Sequence, residues 1–352
     1  MDSWYLTHLV CPRDHQALEM VDGRLRCASN HTYPIVDDVP VMLLDDVPQT
    51  MGIAQRSLKI ANAAQRDSVT PADNLYLETL GLSPEEKLGI HRMATEGQPS
   101  LDPVVAFAIS ATNGIAYKHL IGTLTSYPIP ELRLPPGGGA SLLDVGCNWG
   151  RWSIAAARRG YDVVGIDPSL GSIMAARRVS KSLGLSIRYV VADGRFLPFR
   201  GASFDRVFSY SVVQHLSRPD ARKVVSEIAR TLRSGGTSLV QMPTTFGVRC
   251  LYHQARRRFR DGDGFEVRYW TIPSLKTLFA DAIGSAQVSV DCYFGLGLQK
   301  SDWQVMTWPV KVVLAASETL RGAGRVAPFL KYAADSVYVL ATKPATSHGG
   351  KW

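Results

Sequence analysis

The sequence predicts an α/β fold built on an open, mostly parallel sheet, and three observations carry that expectation. The first is the stretch 142–153, LLDVGCNWGRWS, an apolar run that ends on Asp144, turns tightly through Gly146 and Gly150 and opens a helix. The second is a repetition of that plan. Apolar segments 162–166 and 187–192 each run into an acid, Asp167 and Asp193, with a helical stretch 169–183 between them. The third is segment 219–232, where Ala221, Val224, Val225, Ile228, Ala229 and Leu232 recur at helical spacing between two further apolar runs, 205–209 and 237–242. Short apolar segments alternating with amphipathic helices read as βαβ units.

Each element has a local reason. The helix expected over 151–159 is rich in Ala and stopped by Gly160. A buried strand, a glycine turn and a helix N-terminus are the parts of a nucleotide-binding crevice. Glycine accepts positive φ without steric cost, and Asn148, between the two glycines, belongs to the next most tolerant residue type. Asp167 follows the loop by about 20 residues at a strand end, the spacing of a ribose-binding acid. In a dinucleotide enzyme the third glycine of G-x-G-x-x-G would fall on Arg151, which fits a pyrophosphate turn poorly. Segments 286–293 and 337–342 read as two late strands.

The pieces LLDVGCNWG, VVGIDPS, VVADGRFLPF, FDRVFSYSVVQHL and LRSGGTSLVQMP resemble, in order and spacing, the successive motifs of class I S-adenosylmethionine-dependent methyltransferases. The likeness is greatest to the group that includes quinone-pathway enzymes and covers residues 140–243. Asn148 is the departure from that group's glycine motif. The resemblance implies a Rossmann-like seven-stranded sheet with its last strand antiparallel, S-adenosylmethionine as cofactor, and a core domain over 137–344. It places Asp144 and Gly146 at the amino-acid end of the cofactor and Asp167 at the ribose, and it adds Cys147, Asn148, Gly150 and Pro168 as cofactor-binding residues. Asp193, Gly194 and Arg195 fall at the adenine and Ser209 at the floor. His215, after the fourth strand, is a candidate general base; the competing reading has it hydrogen-bond its own loop.

Residues 1–48 form a small β-rich unit. Cys11-Pro12 and Cys27 have the look of two zinc-ribbon knuckles, but the second thiolate of each is replaced, by Asp14 and Asn30. The segment resembles short zinc-ribbon-like activator subunits of methyltransferases and the ribbon of bacterial guanine-N1 ribosomal RNA methyltransferases. Carried over by position, that resemblance implies zinc on Cys11, Asp14, Cys27 and His31, with His15 as a substitute. The alternative is a ribbon that has lost its metal.

Residues 49–136 read as a helical lid. One helix is expected over 53–66, a second after the cap Ser83-Pro84, and a third from Asp102-Pro103 to about residue 125. The third carries Tyr117, Lys118 and His119, candidates for the cofactor carboxylate by resemblance. Two insertions, 244–280 and 295–334, are expected to cap the crevice. The first holds Arg256, Arg257, Arg258 and Arg260; the second holds Trp303, Trp308, Phe329 and an apolar run over 310–316. A frayed tail is expected over 345–352.

The formal charge of +8 permits an anionic partner without requiring one. No run reaches the ~18 apolar residues of a membrane span. The start MDSWYLTHLV lacks a basic flank and apolar stretch, so a cytoplasmic location is expected. Of the five scattered cysteines, Cys147, Cys250 and Cys292 are expected to be reduced and inert. The leading functional expectation is methyl transfer to a small-molecule or lipid- or sugar-linked metabolite. The rivals are an RNA base methyltransferase and a non-catalytic cofactor-binding regulatory subunit.

Overall fold

The computed structural model describes residues 1–49, 52–67, 74–96, 101–295, 297–324 and 326–345. An amino-terminal helix α1 (Ser3–His8) precedes five short strands: β1 (Leu18–Val21), β2 (Arg24–Cys27), β3 (Thr32–Tyr33), β4 (Ile35–Val36) and β5 (Val39–Pro40). Helices α2 (Ile53–Asp67), α3 (Pro84–Glu96) and α4 (Pro103–Asn113) follow. The core contributes β6 (Ser141–Val145), α5 (Arg151–Arg158), β7 (Asp162–Asp167), α6 (Leu170–Ser182), β8 (Arg188–Val191), β9 (Phe204–Ser209), α7 (Arg218–Thr231) and β10 (Leu232–Pro243). The chain ends with α8 (Val248–Arg256), α9 (Ile272–Ala282), β11 (Ser285–Cys292), α10 (Trp308–Ala323) and β12 (Ser336–Thr342).

Seven strands form one sheet in the order β11-β12-β10-β9-β6-β7-β8. β8, β7, β6, β9 and β10 are parallel, and β12 runs antiparallel between β10 and β11. The central strands are buried almost throughout because helices cover both faces, which is why they read as continuous apolar runs. The expected α/β class and antiparallel last strand are both present.

Helix starts follow the predicted chemistry. Ser83 and Glu86 exchange backbone bonds as a capping box (2.8 and 3.2 Å). Asp102 caps α4 through Val104 N and also pairs with Arg178 of α6 at 2.6 Å, which ties the lid to the core. Two boundaries differ from expectation. The third lid helix stops at Asn113, because Gly114 adopts φ +108, and the chain resumes as a 3-10 helix, Ile115–Leu120. The apolar run over 237–242 belongs to a longer strand that starts earlier. β10 begins at Leu232, and its register shifts between Leu232 and Thr237, a bulge that Gly235 permits with φ +74.

The amino-terminal unit lies along the β8 edge. Met42 N donates to Val191 O at 2.7 Å and Val10 N to Pro198 O at 2.9 Å. Leu9, Leu25, Tyr33 and Met42 share one apolar core with Leu143, Val190 and Phe199. Both the backbone pairing and the burial protect an otherwise open sheet edge.

At the other end of the sheet, Pro243 and Cys292 both pair with Ser336. The insertions that follow β10 and β11 therefore leave the sheet on the same side, at the carboxyl ends of the parallel strands. All five cysteines are buried and unpaired. Of the tail expected over 345–352, only residue 345 belongs to the described residues.

Candidate active site

A cavity of about 600 Å³ opens at the carboxyl ends of the parallel strands. Its near wall is the turn after β6. Gly146, Asn148 and Gly150 all adopt left-handed backbone, with φ +79, +47 and +84. A Cβ on Gly146 would lie 2.3 Å from Val212 Cγ2. The turn is held by bonds from Gly146 N and Cys147 N to Ile166 O, both 2.8 Å, and from Asn148 N to Asp167 Oδ2 at 3.1 Å.

Gly146, Cys147, Asn148, Asp167, Pro168, Asp193, Gly194, Arg195 and His215 line the cavity. Asp144, Gly150 and Ser209 stand behind the wall instead. Asp144 is 1% exposed and accepts a 2.6 Å bond from Ser153 Oγ, so it fixes α5 against the loop. Burial pushes its pKa up to about 7. Gly150 leaves no room for a side chain beside Tyr189. Ser209 Oγ donates to Val145 O at 2.9 Å and joins β9 to β6.

Asp167 receives Ser169 N at 2.9 Å, and burial raises its pKa to about 6. Asp193 is engaged by Arg195, Nη2 to Oδ2 at 2.7 Å, and Arg195 also reaches Asp220 and Pro48 O. His215 stacks on Phe265 with ring centres 3.9 Å apart, and its Nδ1 is 2.7 Å from Phe265 O. That contact requires the proton on Nδ1 and leaves the lone pair on Nε2, which faces the Gln214 amide at 3.2 Å. Burial lowers the His215 pKa, so the ring is neutral near neutral pH.

Tyr117, Lys118 and His119 do not reach the cavity wall. Tyr117 is fully buried with its hydroxyl 2.8 Å from Arg151 Nη2, and His119 meets Val305 O at 2.9 Å. Arg151, which Tyr117 contacts, is a cation that reaches the wall. It lines the cavity, donates to Pro128 O at 2.8 Å and pairs with Asp302 at 2.9 Å. The basic run after α8 is also divided. Arg257 and Arg260 turn toward Glu266, and Arg258 sits beyond the helix at φ +54.

Three wall residues carry no local sequence signal. Arg249 and His253 sit one turn apart on α8, Nε to Nε2 at 3.4 Å. Asp335, 1% exposed, accepts a 2.9 Å bond from Cys250 N at Oδ1, while its Oδ2 is buried with no hydrogen-bond partner. An unpaired buried carboxylate oxygen is costly unless a ligand satisfies it.

The arrangement fits a nucleoside cofactor with space beyond it. The loop leaves no room for side chains at its glycines, Asp167 stands at a strand end in the wall, and the volume lies within the range of small-molecule sites.

A protein-family model described as a methyltransferase domain matches residues 142–236. Residues 142–236 are a methyltransferase domain. The chain is 31% identical over 120 residues to a ubiquinone biosynthesis O-methyltransferase of Azorhizobium caulinodans, covering 30% of this chain and 47% of that protein. It is 37% identical over 107 residues to the methyltransferase GfsG of Streptomyces halstedii, covering 30% of this chain and 38% of that one. The matched stretch thus spans less than half of either relative. A solved S-adenosylmethionine-dependent methyltransferase from Methanosarcina mazei aligns at 19% identity and a TM-score of 0.42, over 61% of this chain and all of that one.

Away from the cavity, Cys11, Asp14, Cys27 and His31 converge with their ligand atoms within 4.8 Å of one another. His31 Nδ1 lies 3.5 Å from Cys11 Sγ, 3.4 Å from Cys27 Sγ and 3.2 Å from Asp14 Oδ2. Cys27 Sγ lies 3.7 Å from Asp14 Oδ2. Tetrahedral zinc, with bonds of about 2.3 Å to sulfur and about 2.0–2.2 Å to nitrogen or oxygen, needs ligand separations of roughly 3.4–3.6 Å for these pairs. The four separations come close to that geometry, and thiolate, imidazole and carboxylate are all donors that zinc accepts. Tyr33 OH, 3.0 Å from Cys11 Sγ, is placed as an outer-shell partner. His15 is not part of the cluster. We expect purified protein to hold about one zinc per chain and Cys27→Ser to lose it with a lowered melting temperature, measured by elemental analysis and thermal unfolding.

Proposed function

We propose that this chain is a methyltransferase that uses S-adenosylmethionine and acts on a small-molecule or lipid- or sugar-linked acceptor held under its cap. The observation that carries the reading is the cavity itself, lined by the glycine turn and Asp167 together with the first-insertion residues Arg249, His253 and Tyr269 and with Asp335, just before β12.

Bound in this cavity, S-adenosylmethionine would supply an activated sulfonium methyl group for in-line displacement by the acceptor. The glycine turn would offer its backbone to the amino-acid end, Asp167 would accept hydrogen bonds from the ribose hydroxyls, and the segment 193–195 would meet the adenine. The chain's main contribution is placement in a site shielded from water. Arg151, neutralised by Asp302, keeps the start of α5 in place.

Calorimetry with S-adenosylmethionine tests the first half of the proposal; no binding would overturn it. The ribose hydroxyls bond best to ionised Asp167. With a pKa near 6 in the free protein, affinity should be full above that pH and fall as pH drops below it. Incubation with radiolabelled methyl donor and fractionated extract tests the second half. Label in RNA rather than lipid or polar metabolites would move the acceptor to the rival class.

Where the acceptor carries a proton, His215 Nε2 takes it once the Gln214 amide turns away. His215→Gln should lower kcat by about 10²–10⁴-fold and leave cofactor affinity intact. Undiminished turnover would transfer the role to Asp335 Oδ2, a buried acceptor in the wall with no hydrogen-bond partner.

A further inference from the structure

Among the described residues, fifteen large hydrophobic side chains are exposed, and twelve of them lie in two segments, 246–265 and 303–332. All eight exposed aromatics are in that set. The same two regions are basic. Residues 246–265 hold five arginines against two aspartates, and residues 300–332 hold five lysines and arginines against two acids. Together they carry six of the chain's eight net positive charges. Of the two acids of the second region, Asp302 is buried against Arg151, and Glu318 pairs with Arg133 and with the region's own Arg321.

The topology brings the two segments to one side. Each leaves the sheet at the strand ends that meet Ser336. Gly247 packs so closely on Asp335 that a Cβ would sit 2.4 Å from its Cα, and Gly295 packs against Arg249. Helix α8 has two faces. Arg249, Cys250 and His253 face the cavity, while Val248, Leu251 and Tyr252, at helical i, i+3, i+4 spacing, are exposed. Phe246 precedes them, and Phe329 and Tyr332 come from the 3-10 helix that leads into the Asp335 contact. Phe265 both lines the cavity and is half exposed, which marks the mouth beside this face.

We propose that this cap face docks on an anionic lipid bilayer, so that the cavity mouth meets an acceptor held in the membrane. Exposed aromatic and aliphatic side chains flanked by Lys and Arg enter the headgroup region, and the cations are drawn to anionic lipid. Among the described residues no helix can cross a bilayer, so the contact is peripheral. The docking surface stands on exposure and charge alone. The membrane-held acceptor rests on the methyl-transfer reading above.

The test is sedimentation of the full chain with vesicles of phosphatidylcholine alone or mixed with phosphatidylglycerol. Binding should be at least about tenfold stronger to the mixed vesicles and should weaken with added salt. The variant Phe246→Ser/Leu251→Ser/Phe329→Ser should lose about tenfold or more of that binding, with S-adenosylhomocysteine affinity by calorimetry unchanged. Equal or absent binding to the two vesicles, or parent-like binding by the variant, would overturn the proposal. So would a parent dimer that the variant turns into a monomer in sedimentation velocity, which would assign the face to a second copy. Vesicle binding without cofactor binding would sink the methyl-transfer reading and leave the docking surface standing; the reverse result would sink the docking surface alone.

Discussion

Asp302→Ala should destabilise the protein by about 3–5 kcal/mol, the range for removing one partner of a buried ion pair. Arg151 and Asp302 are 6% and 1% exposed, and their contact at 2.9 Å joins residues 151 positions apart. Without Asp302 the guanidinium keeps only the neutral acceptors Pro128 O and Tyr117 OH. The carboxylate also completes a capping box with Gln299, so its loss loosens the 3-10 helix Lys300–Val305. The pair is therefore the pin between the core helix α5, the lid and the second insertion. Denaturant unfolding checks the magnitude. The double change Arg151→Met/Asp302→Leu should recover much of the loss, because it leaves no buried charge unpaired. A single variant as stable as the parent would show that the pair contributes little.

Gly146→Ala should weaken cofactor binding by about 30-fold or more. Two effects act together. A non-glycine residue at φ +79 is strained by about 1–3 kcal/mol, and the new Cβ would overlap Val212, which costs about 1–3 kcal/mol more. The sum of about 2 kcal/mol or more corresponds to about 30-fold. Adding Val212→Ala removes the two closest overlaps but not the strain, so it should restore part of the affinity. Gly322→Ala is the control, since nothing lies within 4 Å of its added Cβ and its φ is ordinary. Equal affinity for Gly146→Ala and the control by calorimetry would remove the turn from the binding surface.

Much of this was legible in the residues. The turn 146–150 was visible because positive φ selects Gly and Asn. The helix starts at Ser83, Asp102 and Ser169 were visible because a cap is a bond within three residues. The helix end at Gly114 was missed because the apolar spacing continues across it, while one backbone angle changes direction.

The site was legible only along its near wall. Asp144 looks like Asp167 in sequence, an acid at a strand end. Packing turns it inward to Ser153, whereas Asp167 remains in the cavity wall. His215 gave no hint that its tautomer is set by Phe265 O, 50 residues away. Asp335 gave no hint that it meets Cys250, 85 residues away.

By itself, the sequence determined the order of strands and helices, the turn and the acids that follow it, because side-chain periodicity and turn chemistry act within a few residues. Only the tertiary structure decided which polar groups face the cavity and which stand behind it. It also decided what satisfies Arg151, how the four ribbon ligands converge, and that the two insertions share one exposed face. Those outcomes depend on burial and on partners remote in the chain, which no local pattern encodes.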